Sequence, residues 1–287
     1  MATAKAKAVT VLEFDQEKIK AREAEVAAES DEDIINRLRV RFEILNQMTQ
    51  AVKSGDVRAM IVSGPPGVGK SYGVEAVLEK HDLFAKIATQ KPKFEIVKGA
   101  MSALGLYSKL HEFSEKGNVV VFDDCDSILF DDLSLNILKG ALDSSDRRFI
   151  SWNTDSRLLR SEDIPNRFEF KGSAIFITNI KFEHVKSKRL KDHLDALESR
   201  CHYIDLEMDT NREKILRIKQ IVNDGMLARF DFTEPEVAKD ELLEFVDANQ
   251  KRLRELSLRM VLKLADLRKS FPNSWQAMAT TTCMRRT

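Results

Sequence analysis

Hydrophobic positions along the chain change period several times, and those changes divide it. Between residues 31 and 52 the apolar side chains Ile34, Ile35, Leu38, Phe42, Leu45, Met48 and Val52 recur at three-to-four spacing. That period predicts an amphipathic helix, with Ser30 as its N-cap and Gly55 as its stop. Short continuous apolar runs follow at 59–62, 94–97, 119–122, 174–178 and 203–206, separated by helical stretches such as 72–80 and 132–142. Buried strands alternating with helices predict a mostly parallel sheet covered on both faces. After Met208 the strand pattern stops and three helical patterns follow, at 211–223, 236–248 and 258–269, with Pro235 near a first turn, Ser257 as a cap and Pro272 as the end.

The implied organisation is an arm at 1–30, an α/β domain at 31–208, a small helical domain at 209–271 and a tail at 272–287. The arm is rich in Ala, Lys and Glu and short of large apolar groups, the composition of a flexible charged segment. No internal repeat is present.

Composition narrows the chemistry mainly by exclusion. Lys and Arg together number 46, as do Asp and Glu, so whole-chain charge gives no case for a nucleic acid or an acidic partner. No run approaches the roughly 18 apolar residues of a membrane span, and residues 1–8 lack the apolar core of a secretory signal. The expected location is cytoplasmic. Cys125, Cys201 and Cys283 are widely spaced and the five His residues are scattered, which argues against a disulfide framework and a zinc site.

One segment carries specific chemistry. Gly64-Pro65-Pro66-Gly67-Val68-Gly69-Lys70-Ser71 follows an apolar strand and opens a helix, the context that G-x-x-x-x-G-K-[ST] requires. Its glycines let successive backbone N–H groups turn toward phosphate oxygens, and the helix N-terminus adds positive dipole. These eight residues and Tyr72 form the expected nucleotide-binding set. Lys70 is placed for the β- and γ-phosphates and Ser71 for Mg²⁺. The strand ending Val121-Phe122-Asp123-Asp124 supplies the acids such a loop needs: Asp123 to orient the metal and Asp124 to activate the attacking water.

With these motifs the chain resembles the AAA+ ATPase family over roughly residues 30 to 270. GPPGVGKS is similar to the family's Walker A segment and VVVFDDCD to its Walker B strand. Asn179, after the strand at 174–178, resembles sensor 1, and Leu197-Glu198-Ser199-Arg200-Cys201 resembles the box that carries an arginine finger. Leu256-Ser257-Leu258-Arg259 is similar to sensor 2, with Arg252 and Arg254 as competing positions.

The resemblance implies an α/β P-loop NTPase fold, a three-layer αβα sandwich with a five-stranded sheet in the order 5-1-4-3-2, followed by an α-helical lid. It implies ATP and Mg²⁺ as ligands, Asp124, Asn179, Arg200 and Arg259 as catalytic groups, and a homo-oligomeric ring, a hexamer, that hydrolyses ATP at subunit interfaces to remodel or translocate a macromolecule. The alternatives are a loader-type accessory of DNA replication and an ATP-gated interaction protein with little turnover. The sequence departs from the family at Asp124, where Glu is usual; the carboxylate is one methylene shorter, and a base must come within about 3 Å of its proton or act through water.

Three further segments bear on the substrate, protein or nucleic acid. Strand-like pieces at 148–152 and 167–170 read as the legs of a hairpin whose loop, with Arg157 and Arg160, either projects into a ring pore or closes an edge hairpin. Residues 98–105 are a second pore segment, unless Met101 and Leu104 are core. Lys181, Lys186, Lys188, Arg189 and Lys191 are either phosphate contacts, or a solvated loop or subunit contact.

Overall fold

The computed structural model describes residues 24–87, 91–154 and 156–285. They contain ten named α-helices: α1 (Asp31–Ser54), α2 (Lys70–Ile87), α3 (Ala103–Glu112), α4 (Asp132–Ala141), α5 (Arg157–Ser161), α6 (Lys188–Glu198), α7 (Asn211–Ile221), α8 (Pro235–Ala248), α9 (Leu258–Ser270) and α10 (Trp275–Cys283). The strands are β1 (Ala59–Ser63), β2 (Phe94–Lys98), β3 (Val119–Asp123), β4 (Phe149–Ser151), β5 (Arg167–Glu169), β6 (Ser173–Thr178) and β7 (His202–Asp205).

Five strands form one sheet in the order β2-β3-β6-β1-β7, with every pairing parallel. The numbering differs from 5-1-4-3-2 because β4 and β5, an antiparallel pair in a sheet of their own, intervene in the chain between β3 and β6. β1, β3 and β6 are buried at every position. Side chains of one parity, Ala59, Ile61, Val120, Phe122, Ala174 and Phe176, join Leu106, Tyr107 and Leu110 of α3, Leu135 and Leu138 of α4, and Leu194 and Leu197 of α6 in a single core. Met60, Val62, Val121, Ile175 and Ile177, of the opposite parity, are just as buried, so both faces of the sheet are covered.

The chain divides into two compact units. Arg41–Pro65 with Gly69–Glu207 form the α/β unit, and the described residues up to Val40, Pro66–Val68 and those from Met208 onward form the other. In the second unit α7 starts with a capping box, Thr210 with Glu213, and Ser257 caps α9 by accepting from the Met260 amide. Its core gathers Leu242, Val246, Val261 and Leu264 with Trp275, Ala279, Cys283 and Met284.

Three expectations differ from this architecture. The tail at 272–287 is, through Cys283, largely helix α10, packed by Trp275 and pinned by a bridge between Leu253 and Met284; Pro272 ends α9 without ending the fold. The arm at 1–30 lies outside the described residues up to 23. Residues 24–28, however, are helical, and Val26 is buried while its carbonyl accepts from Arg212. The loop between β4 and β5 is not a free projection: Leu159 is buried in the α/β core, and the Tyr107 hydroxyl donates to the Pro165 carbonyl at 2.9 Å.

Candidate nucleotide site

Parallel strands bring their C-terminal ends to one edge, where α/β proteins hold ligands. The register aligns Ser63 with Thr178 and Asp205, Asp123 with Ile177, and Lys98 with Asp123. Gly64, Asp124 and Asn179, each one residue further along, therefore leave the sheet at the same edge.

Gly64 has φ +152° and approaches the backbone of β7's exit so closely that an added Cβ would stand 3.0 Å from the Leu206 carbonyl oxygen. Gly67 and Gly69 have φ +73° and +103°, the left-handed region where a side chain is strained. The tip, Pro66–Val68, belongs to the helical unit: the Leu258 amide donates to the Gly67 carbonyl at 2.8 Å, and a Cβ on Gly67 would lie 2.6 Å from that of Ser257 and 3.7 Å from Arg259 Cγ. Arg259 is exposed.

In the α/β unit the polar side chains form two hydrogen-bonded sets. Lys70 is buried, and its Nζ donates to the Gly64 carbonyl, to the Pro65 carbonyl at 3.0 Å and to Asn179 Oδ1 at 2.7 Å. Asn179 Nδ2 in turn donates to Asp124 Oδ1 at 2.9 Å. The Ser71 hydroxyl donates to Asp123 Oδ1 at 2.8 Å. Asp123 is buried, whereas Asp124 is exposed and holds φ +53°, a left-handed conformation that costs a non-glycine residue roughly 1–2 kcal/mol. Tyr72 stands out from the start of α2 and is 76% exposed.

Two more residues reach this site by contacts that the sequence does not show. Asp126 accepts from Thr178 Oγ1 at 2.7 Å, and burial raises its carboxyl above the usual range against the lowering effect of that bond. Lys98, at the end of β2, brings its ammonium 3.6 Å from Asp123 Oδ2. Both follow from strand register, which a single sequence does not display.

Arg200 is not part of this set. It precedes β7, which starts opposite Met60, so it lies beyond the N-terminal edge of the sheet, roughly 15 Å of strand from the loop. Its guanidinium donates to the Ala196 carbonyl at 2.7 Å and lies 3.9 Å from the Asp143 carboxylate, and its buried Nε has no hydrogen-bond partner. The basic cluster after Asn179 is partly neutralised: Lys181 pairs with Glu207 and Arg189 with Asp132. Lys188, Arg189 and Lys191 ride on α6, capped by Ser187, rather than on a loop.

The donors at the loop fit a hard divalent cation shared with phosphate. Mg²⁺ takes oxygen ligands and is commonly held by one or two carboxylates, a hydroxyl and the phosphates themselves. Ser71 and Asp123 supply such a hydroxyl and carboxylate. Gly64, Gly67 and Gly69 supply the positive-φ turns by which such a loop wraps its backbone amides toward phosphate oxygens.

No family model matches the sequence. An uncharacterised 36.7 kDa protein in the nrdC–mobD intergenic region of Enterobacteria phage T4 is 34% identical over 260 residues, spanning 89% of this chain and 77% of the phage protein. The chain belongs to that protein's family. Among solved structures it is similar to C. elegans PCH-2, at 14% identity over 88% of this chain and 67% of that one, with a TM-score of 0.34. So low a score assigns nothing; strand order and register define the parallel sheet. No helix among the described residues is long and apolar enough to cross a membrane.

Proposed function

We propose that the chain is an AAA+-type ATPase that binds and hydrolyses Mg-ATP at the Gly64–Ser71 loop and works as a homo-oligomeric ring. The observation that carries this is the chain Lys70–Asn179–Asp124 beside the pair Ser71–Asp123, all at the C-terminal edge of one parallel sheet. Lys70 is the cation for the β- and γ-phosphates; its ammonium, now donating to loop carbonyls, turns to phosphate oxygens when these arrive. Ser71 and Asp123 hold the Mg²⁺, which neutralises developing phosphate charge when bound. Asn179 and Asp124 orient a water and take its proton. Arg259, whose Cγ would lie 3.7 Å from a Cβ placed on Gly67, is the proposed sensor 2 group.

Arg200 lies too far along the sheet to serve its own loop, which supports a role toward a neighbouring subunit and hence a ring, with six subunits as the proposed size. The substrate is a macromolecule that the ring remodels or translocates. The direct experiment is phosphate release from Mg-ATP with and without single-stranded DNA, duplex DNA and unfolded protein. Turnover stimulated by one of the three supports the proposal and names the substrate class; no turnover under any condition contradicts it.

One observation favours a second function, an ATP-gated interaction protein with slow turnover. Asp124 is a short carboxylate, and Asn179 already occupies one of its oxygens. ATP-dependent assembly without phosphate release is the outcome that separates this function from the first.

A further inference from the structure

Asp123 divides its carboxylate between two partners. Oδ1 accepts the Ser71 hydroxyl at 2.8 Å, and Oδ2 faces the Lys98 ammonium at 3.6 Å. The pairing is built into the sheet: Lys98 and Asp123 are register partners, the last residues of adjacent parallel strands. Asp123 is buried, while the Lys98 side chain is 60% exposed. A fixed negative charge therefore sits under a cation free to leave it.

The backbone around Lys98 is tied to the turn that follows Asp123. The Cys125 thiol donates to the Val97 carbonyl at 3.2 Å. The Met101 amide donates to Ser127 Oγ at 3.1 Å, and the Ser127 hydroxyl lies at the same distance from the Met101 carbonyl. The exit of β2 is thus held against the Asp123 turn on both sides of Lys98, which keeps the base of the lysine side chain beside the carboxylate.

We infer that Lys98 is the resident counter-cation of Asp123, which Mg²⁺ must displace, and that it sets the Mg²⁺ concentration at which the site takes ATP. The inference rests on the proposed Mg-ATP site. Ammonium and divalent ion draw on one carboxylate charge, so each weakens the other's hold. A lysine at this position suppresses metal capture by an empty site, and a metal arriving with its nucleotide, bringing phosphate oxygens as further ligands, overcomes it. Lys98 is a positioning residue here, since it acts on the metal through Asp123.

The test is the Mg²⁺ dependence of binding of a fluorescent ATP analogue, read at equilibrium without reference to turnover, in wild type, Lys98→Met and Lys98→Arg. With the Lys98 side chain 60% exposed, the pair is worth on the order of the 0.2–1 kcal/mol of solvent-facing ion pairs, so Lys98→Met should lower the half-saturating Mg²⁺ concentration about threefold. Lys98→Arg, which keeps the charge, should stay within error of wild type. Analogue affinity in excess EDTA should be the same in all three proteins. An unchanged or raised Mg²⁺ midpoint in Lys98→Met overturns the inference. So does a loss of affinity in EDTA, which would make Lys98 a phosphate contact. If wild type binds no analogue at any Mg²⁺ concentration, the Mg-ATP site itself is wrong; if wild type binds and Lys98→Met matches it, only the role of Lys98 fails.

Discussion

At the scale of single residues, Asp124 shows how conformation and chemistry constrain each other. Its φ of +53° is a value that Asp and Asn adopt more readily than most side chains, and it turns the carboxylate toward Asn179. Asp124→Asn keeps both the shape and the tolerance for this backbone while removing the proposed base. We expect Mg-ATP binding within a factor of about two of wild type and phosphate release reduced by roughly 10² or more, the usual contribution of a positioned general base. Wild-type turnover in Asp124→Asn would move the base to another group, with Asp126, held on Thr178, next in line. Arg148 shows the structural counterpart. It is buried beneath the hairpin, donates to the Ala141 and Gly172 carbonyls, and has its guanidinium pushed down to about 10 by burial. Such an arginine holds elements together and takes no part in the site.

At the scale of elements, the loop between β1 and α2 and the last helix make contrasting demands. Gly67→Ala forces a side chain into a left-handed position and against Ser257, so it should cost about 1–2 kcal/mol and weaken nucleotide binding, both readable from thermal melts with and without Mg-ATP. Trp275→Ala empties the middle of the helical core and should cost about 3–5 kcal/mol, seen as a lowered melting temperature.

The first of these elements was legible in the sequence and the second was not, for physical reasons. β1, β3 and β6 are buried on both faces, so they read as continuous apolar runs, and glycines that need positive φ mark the loop between. α10 buries only one stripe, Trp275, Ala279 and Cys283, interrupted by three threonines that favour strands, and it stands behind a proline that looks like a stop. α3 was obscured in the same way: its capping Ser102 and buried Tyr107 follow a stretch that reads equally well as a loop. Lys98 facing Asp123, Thr178 holding Asp126 and Arg200 beside Asp143 join residues 25 to 57 positions apart, and only strand order brings them together.

At the scale of the whole molecule, the proposed ring would make activity a property of the assembly, with Arg200 as the group that crosses between subunits. If it acts on a neighbour's nucleotide, phosphate release should rise faster than linearly with protein concentration through the assembly range. Arg200→Ala should abolish release while leaving ATP binding intact. Mixing Arg200→Ala with Asp124→Asn should restore part of the activity, because some mixed interfaces join an intact site to an intact arginine. Full activity from a monomer, measured by mass alongside turnover, would rule out the proposed ring. All of it depends on one earlier event, the capture of ATP by the loop around Lys70. The most direct test is equilibrium binding of Mg-ATP to wild type and Lys70→Ala by calorimetry, with circular dichroism to show that both are folded. We expect saturable binding by wild type and an affinity at least about tenfold weaker in the variant, since a charge-assisted contact to phosphate is worth about 1.5–3 kcal/mol. Equal affinity in the two folded proteins, or none in wild type, would contradict it.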